Sequence, residues 1–169
     1  MTELPSELPR VGLDGIVLKA GGHAQRAYDS VCAMEAVAWL AGEPHSDHPQ
    51  CTCPIIGAFL RSWNDSIRDD DTRTRLLKPL LSVVIGTRST KAVELTRSYL
   101  ALDWLARECA PAFLSLRDDL KAHAVALRGL SPLIDSASCE AAQAILAAAR
   151  AAAWAAARDA AWDAAWAAA

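Results

Sequence analysis

Alanine constrains the fold of this chain more than any other residue. It occupies 36 of the 169 positions and dominates the stretch from Ala141 to Ala169, and it has the highest intrinsic helix propensity of the amino acids. Hydrophobic residues make up 53% of the chain and charged residues 22%, a balance typical of folded domains rather than of disordered ones. The composition therefore predicts a folded protein built from helices.

Apolar residues at helical spacing, interrupted by glycine and proline, divide the chain into about six helices. The predicted helices cover His23 to Ala41, Pro54 to Ile67, Thr72 to Ile85, a segment capped by Ser89 or Thr90 that extends to about Cys109, Ala112 to Leu127, and a last helix that is capped by Ser136 or Ser138 and extends to the C-terminus. Gly42 suits the position just beyond the first helix, whereas Pro79 predicts a kink or break in the third. In the fourth helix we expect the apolar side chains to pack, namely Val93, Leu95, Tyr99, Leu102, Trp104 and Leu105.

Short connections between helices favour antiparallel neighbours, so the predicted fold is an all-α compact bundle with a long alanine- and tryptophan-rich C-terminal helix. Residues 1–22 are predicted to form an irregular lead-in with a short extended piece at Gly15 to Lys19, residues 23–135 a helical domain, and residues 136–169 the C-terminal helix. Asp69, Asp70 and Asp71 precede the third helix, where carboxylates suit the unpaired N–H groups of a helix start.

Charge and cysteine usage limit the classes of partner and compartment. Seventeen Lys and Arg against twenty Asp and Glu give a net charge of −3, so the chain lacks the basic footprint of a nucleic-acid-binding protein. The first ten residues lack the features of a secretory signal, and charged residues interrupt the alanine-rich stretch, so we expect no membrane-spanning helix. The five cysteines form an odd set without framework spacing, which favours reduced thiols and a cytoplasmic location.

Large residues recur every four positions in the alanine-rich tail. Trp154, Arg158, Trp162 and Trp166 fall on one face of a helix as a slowly drifting line, which we call the tryptophan stripe. A guanidinium stacked over an indole face is attractive, and Arg158 lies between two indoles. Two interpretations are open. In the first, the tryptophans pack onto the rest of the domain, or the tail is a low-complexity extension that is helical because of the propensity of alanine. In the second, the tryptophan face or the alanine face docks a protein partner or a second copy of the chain.

The polar segment from Gly42 to Cys53, GEPHSDHPQCTC, is predicted to be a loop that holds the chemistry. Together with Cys32 it supplies soft or borderline metal ligands, namely His45, His48, Cys51 and Cys53. Tetrahedral zinc needs four such groups, but known structural sites space two ligand pairs more widely than this loop does. The other interpretation is that Cys51 and Cys53 are buried as hydrophobes while the histidines face water.

Nucleophilic catalysis is the second chemical hypothesis. Cys32 and Glu35 are predicted to lie one turn apart on a helix, and Asp47 with His48 in the following loop would complete a thiol, imidazole and carboxylate set. A thiol in the middle of a helix lacks the activation that a nucleophile needs, however. A buried Glu35 would also need a cation or several donors, for which the candidates are Arg61, Arg88 and Arg107.

The run CAMEAVAWLAGEPHSDHPQC at Cys32 to Cys51, followed by Asn64-Asp65, resembles a family of uncharacterised bacterial and prophage-encoded small proteins that also end in alanine-rich tails. The resemblance spans roughly residues 31–135 and implies no activity, cofactor or partner. Relatives often carry an aromatic residue in place of His45 and a serine in place of Cys53, which implies that any zinc site is peculiar to this chain. The family pattern groups several polar positions: Cys32, Glu35, Ser46, Asp47, Cys51, Asn64, Asp65, Arg88 and Asp103.

These features predict a non-enzymatic helical interaction or scaffold protein. Its C-terminal helix is the expected element for docking a protein partner or for self-association. A zinc-binding protein that uses the loop from His45 to Cys53 is the first alternative. A small enzyme that depends on Cys32, Glu35 and Asp47 is the second.

Overall fold

The computed structural model describes residues 15–23 and 30–167. These residues form helices and contain no named strand, apart from one isolated parallel bridge between Leu18 and Val31. The predicted all-α class and the long C-terminal helix are confirmed. The predicted lead-in at residues 1–14, positions 24–29 of the predicted first helix and the last two residues of the C-terminal helix lie outside the described residues.

Contacts divide the chain into two units, residues 1–94 and residues 95–169. The first unit contains α1 (Ala33–Leu40), α2 (Pro54–Ser66) and α3 (Asp70–Val84), and α4 (Lys91–Trp104) begins in it and continues in the second. The second unit adds α5 (Ala110–Leu114), α6 (Lys121–Arg128) and α7 (Ser136–Ala167). The C-terminal helix α7 packs on α6 and contributes buried alanines to the second unit's core as far as Ala156, whereas residues 157–166 are all exposed.

The first unit is built around α1, which packs on α2 and α3. Its core also includes Ile16 and Leu18 from the segment before α1. Among the described residues, the backbone of this segment pairs with another backbone segment at the Leu18–Val31 bridge. Every residue from Val31 to Ala38 is buried. The unit thus surrounds a short central helix rather than burying one stripe of it.

Helix α1 begins at Ala33 and not at His23, so the predicted start is wrong. Cys32 is the N-cap, with extended backbone (φ −76°, ψ 168°), and its Sγ accepts the N–H of Glu35. The Glu35 side chain accepts the N–H of Cys32 in return and completes a capping box, which fixes the helix start at this point. The predicted end is confirmed: Gly42 has φ 71°, and the N–H of Glu43 donates to the carbonyl of Ala38 as in a Schellman motif.

Helix α3 runs through Pro79 without a break, so of the predicted kink or break after Lys78 the break does not occur. Pro79 is exposed, whereas Leu77 and Leu81 on either side of it are fully buried. The missing backbone hydrogen bond therefore falls on the solvent side, and the burial of the opposite side holds the helix together. The predicted carboxylate cap is confirmed, since the Asp69 side chain accepts the N–H of Thr72.

The predicted helix ending at Cys109 is interrupted by a π-helical turn at Leu105–Cys109, in which the N–H of Ala110 donates to the carbonyl of Leu105. Pro111 follows directly. Its ring would crowd the carbonyl four residues earlier, and the wider turn relieves that crowding.

The predicted helix from Ala112 to Leu127 is wrong, because α5 ends at Leu114 and a 3₁₀ turn at Asp118–Leu120 precedes α6. The hydroxyl of Ser115 donates to the carbonyl of Pro111 (2.7 Å) at the point where α5 stops. Such a bond offers the backbone an alternative to continuing the helix.

Helix α4 contains no buried residue, which contradicts the predicted packing of its apolar side chains. Leu95 is 55% exposed and Trp104 51% exposed. The other apolar positions are half-buried or exposed, namely Val93, Tyr99, Leu102 and Leu105. Helical spacing alone indicated an amphipathic face, but it does not specify whether another element covers that face.

Helix α7 buries alanine and exposes tryptophan. Ala142, Ala149 and Ala156 lie seven residues apart and are buried in the core of the second unit. The helix start is capped by Asp135 rather than by Ser136 or Ser138: its carboxylate accepts the N–H of Ser138 (2.8 Å), whose hydroxyl accepts the N–H of Asp135 in return (3.1 Å). No helix in the described part of the chain combines the length and apolar character needed to cross a membrane.

We predict that the alanine face of α7 does not tolerate larger side chains. Ala149→Leu forces extra volume into a closed core and is expected to lower the free energy of unfolding by about 1–3 kcal/mol. The matched control is Ala148→Leu on the exposed side of the same helix, for which we expect a change within about 0.5 kcal/mol. Chemical denaturation measures both, and equal effects of the two variants would contradict the packing of this face.

Candidate functional site

Two imidazoles face one buried carboxylate at the start of α1. Glu35 is 3% exposed; its Oε1 accepts the backbone N–H of His23 (2.7 Å) and its Oε2 accepts the backbone N–H of Cys32 (2.8 Å). Oε2 also lies 3.0 Å from Nδ1 of His23, which carries the proton because an ionised carboxylate only accepts. The Nε2–H of His45 donates to the carbonyl of His23 (2.8 Å) and lies 3.6 Å from Oε1 of Glu35.

These donors decide the charge of Glu35. Burial alone would raise the pKa of its carboxyl, but the backbone N–H groups of His23 and Cys32 and the His23 ring outweigh burial and hold the pKa below its usual range. Of the two predicted means of keeping Glu35 charged, an arginine or several donors, the structure shows several donors. Arg61 donates to the carbonyl of Asp47, Arg88 pairs with Glu94, and Arg107 pairs with Asp103.

Cys32 lies in this site as a structural thiol. Burial raises the pKa of its thiol to about 12, and the nearby Glu35 carboxylate adds to the effect against the opposing backbone N–H groups of Glu35 and Met34. Asp47, the third member of the hypothesised catalytic set, pairs with the exposed ring of His48 (2.6 Å). The structure therefore brings Cys32 and Glu35 together as a helix cap and pairs Asp47 with His48, the imidazole of the hypothesised set, within the loop.

The loop from Gly42 to Cys53 is fastened to the rest of the first unit by backbone groups. Within the loop, the Glu43 side chain accepts the N–H of Cys51 (2.6 Å). The carbonyl of Cys51 accepts the N–H of Arg88 (3.0 Å), and the N–H of Cys53 donates to the hydroxyl of Thr87 (3.0 Å). The last two bonds hold the loop against the residues that follow α3.

The proposed zinc ligands are distributed over several environments. Cys53 is fully buried, Cys51 is half-buried, His48 faces solvent, and His45 and Cys32 take part in the Glu35 site. In the part of the chain that the structure describes, no group of three or more His, Cys, Asp or Glu side chains is placed to hold a metal ion. Zinc binding thus stays a prediction from ligand spacing.

Sequence reasoning missed Arg73, which is 1% exposed. Its guanidinium donates to the carbonyls of Asn64 (2.8 Å), Leu18 (3.4 Å) and Ile67, and it pairs with Asp70. The sequence did carry a signal for its burial, because Arg73 continues the apolar line of Leu77, Leu81 and Val84 at helical spacing. A single charge on a buried face indicates a group that is satisfied inside the protein.

Asn64 joins α2 to the residues around it, and it is one of the polar positions that the family pattern grouped. Its Oδ1 accepts the N–H of Ala33 (3.2 Å) at the start of α1, and its Nδ2 donates to the carbonyl of Lys19 (2.9 Å) in the segment before α1. Neighbouring Asp65 accepts the N–H of Gly21 (2.8 Å). Both side chains thus fasten the segment before α1 to α2.

The tryptophan stripe is the second candidate site, and it belongs to the second unit. Trp154 is 68% exposed, Trp162 61% and Trp166 77%. The interpretation that these indoles pack onto the rest of the domain is therefore wrong, because α7 turns its alanines inward instead. A shallow depression lies beside the stripe and is lined by Trp154, Arg158 and the alanines between them.

Comparisons with protein-family models, with curated proteins and with solved structures found no match.

We predict that stability depends on pH through Glu35. Because its pKa in the folded protein lies below its unfolded value of about 4.5, its ionised form stabilises the fold above that pH, and the contribution is lost as the pH falls through the folded pKa. Glu35→Gln places an amide against backbone donors and is expected to cost about 2–3 kcal/mol at pH 7. Urea denaturation from pH 7 to pH 3 should show a smaller acid loss for this variant than for the wild type.

Glu140→Gln, which changes an exposed carboxylate, is the control for this experiment. We expect it to leave both the stability at pH 7 and the acid profile nearly unchanged. An acid profile of Glu35→Gln parallel to that of the wild type would show that Glu35 titrates alike in the folded and unfolded chains.

We predict that Cys32 acts as a cap and not as a nucleophile. Serine keeps an acceptor at the N-cap, so Cys32→Ser is expected to be more stable than Cys32→Ala by about 1 kcal/mol. In the native wild type, alkylation at pH 8 followed by peptide fragmentation should label Cys32 more slowly than half-buried Cys51. Faster labelling of Cys32 than of Cys51 would contradict the capping role.

Proposed function

We propose that this chain is a non-enzymatic helical interaction or scaffold protein whose docking element is the tryptophan stripe of α7, and that the stripe binds a second copy of the chain. The observation that carries the proposal is the exposure of the three indoles on a helix that is held by its alanine face as far as Ala156 and that buries no residue from 157 to 166. Tryptophan and arginine dominate the energetics of protein interfaces. The continuous helix offers these side chains in a fixed arrangement, which lowers the entropy cost of binding.

The order of residues in the stripe favours a second copy as the occupant. When two α7 helices lie antiparallel with position 160 at the centre, Trp154 of each chain faces Trp166 of the other, and Arg158 faces Trp162. Such a pairing is isologous and closed, because each contact occurs twice. It sets a guanidinium against an indole at both central positions and brings the partner's indoles to the depression beside Trp154 and Arg158.

The size of the stripe sets the strength of the association. An aromatic side chain offers about 150–250 Å², so three indoles that are roughly two-thirds exposed provide about 400 Å² per chain, or about 800 Å² per pair. Stable interfaces bury about 1,200 Å² or more. We therefore propose a weak, concentration-dependent dimer.

We also propose that the protein is bacterial or prophage-encoded and that it acts in the cytoplasm. Five free thiols support a reducing compartment, and the resemblance in the residue run from Cys32 to Cys51 supports the origin. The net charge of −3 supports a protein rather than a nucleic acid as the partner.

We predict that self-association depends on the stripe. Sedimentation of the full chain from about 10 μM to about 1 mM should show a monomer–dimer equilibrium, and replacing Trp154, Trp162 and Trp166 with alanine should leave only monomer. Trp104→Ala, an exposed tryptophan of α4, is the control for loss of an indole elsewhere. Arg158→Glu should weaken the dimer, whereas Arg128→Glu, which changes an exposed arginine of α6, should not.

The antiparallel arrangement has its own readout. With benzoylphenylalanine in place of Trp166, irradiation should link two chains, and trypsin cuts after Arg150 and Arg158 to separate residues 151–158 from residues 159–169. Antiparallel pairing joins a 159–169 peptide to a 151–158 peptide, whereas parallel pairing joins two 159–169 peptides. A chain that is monomeric throughout, or a dimer that survives the triple substitution, would reject the second copy as occupant and leave the stripe to a different protein.

A further inference from the structure

A cavity of about 210 Å³ lies in the first unit beside the start of α2. Met34 and Gly57 are among the residues that line it, together with Arg61, Arg88 and His48. No carboxylate is among the described residues that line it. A small, half-open space lined by two arginines and by no carboxylate favours an anion over an apolar ligand.

Both arginines keep donors for a ligand. Arg61 uses Nη1 to donate to the carbonyl of Asp47 (2.8 Å), and Arg88 uses Nε to pair with Glu94 (3.2 Å). A guanidinium has five N–H donors in a planar fork, so each side chain is oriented by one contact and has further N–H groups to present. Arg61 is half-buried, which strengthens its interaction with a charge inside the cavity.

Gly57 creates part of the space. A Cβ at this position would lie 3.4 Å from Nη1 of Arg61 and 3.6 Å from Cε of Met34. Those distances are ordinary contacts, so an alanine fits here without displacing backbone. Glycine is unfavourable inside a helix, and at this position it leaves open the room directly beside the guanidinium of Arg61.

We propose that this cavity binds a phosphate-sized oxyanion between Arg61 and Arg88. The volume is below the range of about 300–1,000 Å³ typical of drug-sized ligands, so the ligand is inorganic phosphate or the phosphoryl group of a small metabolite whose remainder stays outside. An arginine guanidinium binds two oxygens of such a group through two parallel hydrogen bonds. Glu94 competes for Arg88 from outside the cavity. This inference concerns the first unit and does not depend on the role proposed for α7.

Calorimetric titration of the full chain with inorganic phosphate at low ionic strength tests the site. We expect saturable binding at one site, weakened about tenfold or more in Arg61→Gln and in Arg88→Gln. Glu94→Gln should instead strengthen binding, because it releases Arg88 from its competitor. Arg75→Gln, an exposed arginine of α3, is the control for a general loss of positive charge and should bind like the wild type.

Gly57→Ala keeps the test independent of folding. The added methyl group narrows the cavity beside Arg61 while alanine favours the helix, so this variant should be at least as stable as the wild type and should bind phosphate more weakly. Repeating the titration with methyl phosphate and with a sugar phosphate distinguishes inorganic phosphate from the phosphoryl group of a metabolite as the ligand. Tighter binding of an ester than of inorganic phosphate identifies the metabolite. Absence of saturable binding up to about 20 mM phosphate, or binding that none of these substitutions alters, would overturn the proposal.

Discussion

The first unit depends on how the chain segment before α1 satisfies its backbone polar groups without a sheet. Within Gly15 to His23, Ile16 and Leu18 are buried in the core of the unit, and side chains supply most of the partners of the segment's backbone. Arg73 donates to the carbonyl of Leu18, Asn64 donates to that of Lys19, and Glu35 accepts the N–H of His23. Unpaired backbone groups in such a place would each cost free energy comparable to a lost hydrogen bond. Because the three side chains come from α3, α2 and α1, the same bonds that satisfy the segment also fix these helices around it.

This arrangement explains why perturbed ionisable groups in the first unit do not indicate catalysis. Active sites raise the pKa of a general base toward neutrality and lower that of a nucleophilic thiol. Here both shifts run the other way: the pKa of Glu35 is lowered and that of Cys32 is raised to about 12. A carboxylate that stays ionised accepts hydrogen bonds, and a thiol that stays protonated packs as an apolar group at a helix start. Each group is thus held in the form that suits a structural bond.

Local signals were sufficient where local interactions decide the structure. The start of α2 at Pro54, the end of α1 at Gly42 and the carboxylate cap at Asp69 follow from backbone chemistry within a few residues, and the sequence predicted all three. The start of α1 was missed because the residues from His23 onward have helical spacing. In the structure the capping box places the start of the helix directly after Cys32, and Val31 before it forms the bridge to Leu18. For the same reason α4 was assigned a packed face: spacing reports periodicity, but burial depends on which element lies opposite.

In helix α7, the residues that the fold needs differ from the residues that form the exposed surface. If burial alone had selected its residues, the tryptophans would face the core, since an indole removes far more apolar area from water than a methyl group does. The helix instead buries Ala142, Ala149 and Ala156 and exposes the stripe. Its helical state is provided by alanine propensity and by the Asp135 cap, neither of which needs an indole. Spacing of four residues turns the indoles by about 40° per step, or about 120° from Trp154 to Trp166. It is this regular order, which the fold does not need, that would let the stripe pair with its own reversed order in the proposed dimer.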